Sequence, residues 1–159
     1  MKLKFIPPLD PEFLPAAVFN REYLLAARQS GRAVPLVIGI ERENGLLSRY
    51  ETVVKREPDA DTRRYVERLV KILLWSRGGW KIWFGGPAGL GREIRRLYSA
   101  AGERKFDTEL MSRVYEHPFE VVITEADAVP PARELSTSLG GHLEGCRIGF
   151  DLGASDYKI

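Results

Sequence analysis

A single cysteine, Cys146, and two histidines, His117 and His142, are all the thiolate and imidazole ligands that this 159-residue sequence offers. One cysteine excludes an internal disulfide framework, and without a CxxC pair there is no structural zinc spacing. His142 and Cys146 stand four apart, but a lone pair of ligand types does not make a site. His117 precedes Pro118 and reads as a loop residue. Long apolar runs are also missing, and nothing approaches the roughly 18 apolar residues of a membrane span. The N-terminus, MKLKFIPPLDPEF, is basic, but prolines break it before a signal-peptide core can form. The expected compartment is therefore the cytoplasm, with no membrane partner. An excess of one charge is lacking too, since 24 basic and 22 acidic residues leave a net +2. The signs alternate along the chain, which argues against a nucleic-acid partner. The densest basic cluster, Arg92, Arg95 and Arg96, reads as the solvated face of a helix.

What is present is ordinary for a globular protein: 44% hydrophobic and 29% charged residues, and one domain's worth of chain. Prolines at 7, 8, 11 and 15 predict an extended arm. A short helix follows from Ala16 or Asn20 to Gln29, ended by Ser30-Gly31. Val34 to Ile40 is a buried-strand run, and a second strand runs from Leu46 to Val54. Asn44-Gly45 lies between them, where both turn positions need positive φ, so the pair predicts a hairpin. Asp61 or Thr62 is placed to cap a helix reaching Ser76, with Val66, Leu69, Val70 and Leu73 inward. Arg77-Gly78-Gly79 stops it. Trp80 to Phe84 alternates as a strand, and a helix from Leu90 to Ser99 points Ile94, Leu97 and Tyr98 inward. A further helix, Thr108 to Tyr115, takes Asp107 as its cap and buries Leu110, Met111 and Val114. Phe119 to Thr124 is another strand.

These elements predict an α/β fold: a mixed sheet in which a β-hairpin is followed by strand–helix alternation. The expected divisions are an arm and short helix over 1–30, an α/β module over 31–128, a polar linker over 129–145, and a final run over 146–159.

Four clusters invite a functional reading. The turn Gly85-Gly86-Pro87-Ala88-Gly89-Leu90-Gly91 has Walker-like glycine spacing, but Arg92-Glu93 stands where lysine and a hydroxyl are required. No three glycines fit a dinucleotide fingerprint either. A tight strand-to-helix turn needing small residues is the favoured account. Trp75, Trp80 and Trp83 gather at one helix-to-strand connection, where core packing is expected and a protein interface comes second. Glu41 and Glu43 beside Arg42 are charges at a hairpin tip rather than a working carboxylate pair.

The fourth cluster is CRIGFDLGASDYKI, Cys146 to Ile159. An apolar run (Ile148, Phe150, Leu152) delivers Asp151 and then a turn of Gly153, Ala154 and Ser155. An aspartate there can hold hydrated Mg²⁺, which keeps its waters and takes one or two carboxylates. Gly153 lets turn N–H groups approach oxyanions, the Ser155 hydroxyl adds a donor, and Lys158 adds positive charge or points to solvent. On the residues alone two readings stand level: a nucleotide phosphate loop, or a plain hairpin turn with a solvated aspartate.

IGFDLGASDYKI resembles the first phosphate loop of the sugar-kinase, heat-shock-protein and actin superfamily, with its pattern apolar-x-Asp-apolar-Gly-small-Ser/Thr. Within it the run is most similar to the ROK family of sugar kinases and repressors. Asp151, Gly153 and Ser155 match the pattern's Asp, first Gly and hydroxyl positions. Ala154 replaces a glycine usual in that family, and Asp156 adds a negative charge. About a dozen residues carry the match. A weaker likeness runs from Leu69 to Gly86, where Gly85 and Gly86 resemble a glycine pair beside the adenosine of such kinases. The resemblance implies that 146–159 is the first strand and phosphate loop of an actin-like ATPase fold. It also implies ATP and Mg²⁺ as cofactors, with Mg²⁺ on Asp151 through water, and a nucleotide and a sugar as partners of a longer protein. Phosphoryl transfer needs a base, a second phosphate loop and a closing lobe. The sequence supplies none of these, nor the cysteine-rich zinc motif usual in ROK proteins, so no catalytic residue is expected within it. With no helix-turn-helix pattern at the N-terminus, the repressor branch is the lesser expectation. The alternative is a non-catalytic interaction or oligomerisation module, a homo-oligomer included, working through the tryptophan-rich region.

Overall fold

The computed structural model describes residues 7–10, 13–135, 145–146, 151–152 and 157–158. In chain order the elements are α1 (Ala16–Gln29), β1 (Ala33–Glu41), β2 (Leu47–Lys55), α2 (Ala60–Arg77), β3 (Lys81–Gly85), α3 (Ala88–Leu97), α4 (Lys105–Tyr115), β4 (Glu120–Thr124), β5 (Asp151–Leu152) and β6 (Tyr157–Lys158). Four strands form a sheet in the order β2-β1-β3-β4. β1 is antiparallel to both β2 and β3, while β3 and β4 are parallel and joined through α3 and α4. The mixed α/β sheet is as the sequence predicts.

Strand periodicity decides how the layers divide. Alternate residues point to opposite faces, and Leu36, Ile38, Ile40, Ile82 and Phe84 join one buried cluster with residues from all four helices. The helices therefore cover one side of the sheet. α1 belongs to this core: Phe19, Tyr23 and Ala27 are buried, and the Tyr23 ring stacks on Tyr65 of α2 at 4.5 Å. The Tyr23 hydroxyl donates to Thr62 Oγ1 at 3.0 Å and accepts from the Lys55 amide. α1 thus buries its apolar stripe in the same core as the elements that follow residue 30.

The other side is covered by chain expected to be linker. After a 3-10 turn at Ala126–Ala128, Val129 is 2% exposed. It sits in a socket left by two glycines. A Cβ on Gly39 would lie 3.2 Å from the Val129 side chain, and one on Gly85 only 2.4 Å from it. Arg49 Nη1 donates to the carbonyls of Val129 and Pro130, and Leu47 and Arg133 exchange backbone hydrogen bonds at 2.8 and 2.9 Å. Ser48 Oγ then donates to Glu134 Oε1 at 2.5 Å. Residues 129–134 of the expected 129–145 linker thus pack against the sheet. Residues 136–144 of that linker lie outside the described residues.

Local signals mostly hold. The hairpin turn places Asn44 at φ 58° and Gly45 at φ 67°, within a five-residue connection rather than a two-residue one. Two caps differ. α2 is capped by Asp59, which accepts from the Thr62 amide at 2.8 Å, so Asp61 and Thr62 are helical residues. α4 begins at Lys105, and Asp107 lies buried inside its first turn, accepting from Trp75 Nε1 at 2.8 Å. Asp107 and Thr108 consequently replace Val114 on the inward side, and Val114 is 62% exposed.

Candidate functional site

The C-terminal run forms a small antiparallel pair in which Asp151 is register partner to Lys158 and Leu152 to Tyr157. Residues 153–156 connect the two strands. An aspartate position and a lysine position therefore lie opposite each other, one pair below a four-residue Gly-Ala-Ser-Asp connection. Gly153, Ala154 and Ser155 themselves, and Ile148 and Phe150 of the expected strand, lie outside the described residues, as does His142. Cys146 is exposed.

Gly85 and Gly86 close β3, where a cleft of about 520 Å³ opens between the carboxyl ends of the parallel strands and the start of α3. Crevices at this end of a parallel pair are common ligand sites. Here Arg56 lines the cleft together with Glu125 and Asp127, a balance adverse to a polyphosphate. Packing accounts for both glycines without a ligand. A Cβ on Gly85 would meet Val129 and the Glu125 carbonyl, and one on Gly86 would lie 2.9 Å from Leu36. Gly91 answers to the same demand, facing Ile123 and Phe84 where α3 lies close on the sheet.

The tryptophans are not core residues, and the packing expectation is corrected. Trp83 sits at an outward position of β3, half-buried, and donates from Nε1 to Glu41 Oε2 at 2.7 Å. Lys81 lies between Glu41 and Glu120 and over the Trp80 ring. Trp80 stacks on His117, which approaches Glu43 at 3.6 Å. Glu41 and Glu43 thus serve different neighbours. Trp75 is 46% exposed and stacks on Phe106, itself 67% exposed. Beside them a groove of about 480 Å³ runs between α1 and α2, lined by Ala16, Asn20, Arg68, Leu69, Ile72 and Trp75. One signal for this groove was legible. Ile72 and Trp75 extend the apolar arc of α2 beyond the stripe its core contacts require. The arginine cluster of α3 reads as expected, with Arg92, Arg95 and Arg96 exposed and Arg95 Nε donating to the Val121 carbonyl.

Among the described residues no three His, Cys, Asp or Glu side chains gather as a metal site, and no helix is long and apolar enough to cross a membrane. Comparisons with protein-family models, with curated proteins and with solved structures return no match for this chain.

Proposed function

We propose that this chain contributes the first phosphate-binding loop of a ROK-like, ATP-dependent sugar kinase and has no turnover by itself. The reading rests on the resemblance of residues 148–159 and is supported by one observation, the pairing of Asp151–Leu152 with Tyr157–Lys158 around a Gly-Ala-Ser-Asp connection. The donor set fits Mg-ATP in kind. Asp151 supplies one of the one or two carboxylates that a hydrated Mg²⁺ takes. Turn N–H groups near Gly153 and Ala154, with the Ser155 hydroxyl, supply donors for phosphate oxygens, and Lys158 supplies a cation. Bound Mg-ATP would bring the transferable phosphoryl group. The base acting on the sugar hydroxyl, the second phosphate loop and the closing lobe are not among these residues. Gly85 and Gly86 belong to this reading only as the weaker adenosine-side likeness.

Two assays test it. Incubated with ATP and a panel of hexoses, the purified chain should yield no sugar phosphate, and turnover would sink the half-site account. Mg-ATP should raise its melting temperature, and Asp151→Ala should abolish that rise.

A second reading, a non-catalytic interaction module, is favoured by the exposed Ile72, Trp75 and Phe106. It predicts a complex detectable by light scattering that is lost when these side chains are made polar.

A further inference from the structure

The groove beside Trp75 has features that an idle surface does not need. Ile72, Trp75 and Phe106 are 64%, 46% and 67% exposed, forming one apolar patch where α2 meets the start of α4. The Trp75 and Phe106 rings lie 6.4 Å apart and within 11° of parallel, and Asp107 fixes the indole by its N–H. The patch is therefore rigid, which lowers the entropy lost on contact. Its border is basic. Arg64, Arg68, Lys71, Ile72 and Trp75 fall at i, i+4, i+7, i+8 and i+11 of α2, one continuous stripe at helical spacing. Arg64 and Arg68 lie over the Phe19 ring. Among the described residues neither they nor Lys71 has a carboxylate partner. The carboxylates of the adjoining turns are engaged, Glu67 by Arg104 and Asp107 by Trp75.

We propose that this groove docks an amphipathic helix of another protein, one whose apolar side is flanked by aspartates and glutamates. This rests on the interaction-module reading and names its partner class. An apolar channel of about 480 Å³ between two helices takes the anchor side chains of a third helix. The cations at its border, without a carboxylate partner among the described residues, select acidic flanks. A second copy of this chain fits poorly, because a twofold contact through the patch would set Arg68 and Lys71 against their own mates. A lipid surface suits a protruding apolar face rather than a concave one.

The test is a phage-displayed library of helical peptides, apolar at i, i+3, i+4 and i+7 and randomised at the flanks, panned on the full chain. Acidic flanks should be enriched. Binding of the enriched peptide, read by fluorescence anisotropy, should weaken about tenfold or more on Ile72→Ser, Phe106→Ser and the double change Arg68→Glu with Lys71→Glu. It should also weaken with added salt. The two serine variants change exposed side chains, so circular dichroism should show an intact fold even if Trp75→Ala, which strips Asp107 of its donor, does not fold. No enrichment, enrichment without acidic bias, or affinity unmoved by these variants overturns the proposal. If instead the chain dimerises through this face, or binds phosphatidylcholine vesicles containing phosphatidylserine in an Ile72-dependent way, the acidic-helix assignment falls while the interaction reading stands. A groove inert in all three assays overturns both.

Discussion

Asp59 takes donors from three sources: the Thr62 amide, the Thr62 hydroxyl and Lys55 Nζ at 2.7 Å. Partial burial works to raise its carboxyl, but the hydrogen bonds from Lys55 and Thr62 outweigh that and hold it at about 2, below the ordinary 3.8. A depressed carboxylate stabilises the fold fully above its unfolded value, and the contribution fades as pH falls from 3.8 through about 2. Lys55 moves the opposite way, raised above 10.5 chiefly by the hydrogen bond to Asp59, so its share persists below that pH and is lost on rising through the raised value. Removing a helix cap costs about 1 kcal/mol. Asp59→Ala should therefore lower unfolding stability in urea by about that amount at neutral pH. It should also flatten the fall in stability between pH 4 and pH 2. A second single-residue prediction concerns Glu116, which ends α4 in the left-handed conformation at φ 53°. A non-glycine residue there costs roughly 1 kcal/mol, so Glu116→Gly should stabilise the protein by a comparable amount in the same titration.

The stretch from Ala126 to Glu134 shows why some elements could be read from the sequence and others could not. The hairpin, the strand runs and α2 carry their own local signals: Asn44-Gly45, apolar alternation, and a stop at Gly78. The covering segment has none. Its Val-Pro-Pro-Ala composition looks like linker, and it is held by partners some 80 residues earlier, in Arg49, Leu47 and Ser48. Glycines at 39 and 85 make room for it, a meaning that appears only once β1 and β3 are neighbours. Gly85→Ala would drive a methyl to within 2.4 Å of Val129 and 2.9 Å of the Glu125 carbonyl. It should cost about 1–3 kcal/mol and make the chain after Thr124 more sensitive to protease than in the parent. The start of α4 failed for a related reason. An aspartate three residues past Arg104 resembles a cap locally, yet the indole of Trp75 claims it from another helix.

Taken together, the molecule is a sheet with helices on one side and its own covering segment on the other, followed by a separate antiparallel pair. The phosphate reading of the C-terminal run comes from local sequence alone: an aspartate, a glycine, a hydroxyl and a lysine within eight residues. The apolar groove was half-legible, since Ile72 and Trp75 widen the α2 stripe while Phe106 arrives from a helix far along the chain. The account stands or falls on the hairpin. Amide spectra of the ¹⁵N-labelled chain, titrated with Mg-ATP, test it directly. A half-site should bind weakly, with a Kd of about 1 mM or above. The predicted result is a set of shifts centred on residues 151–158 that disappears with Asp151→Ala. Shifts located at Gly85 and Gly86 alone, or none at 151–158 at saturating nucleotide, would contradict it.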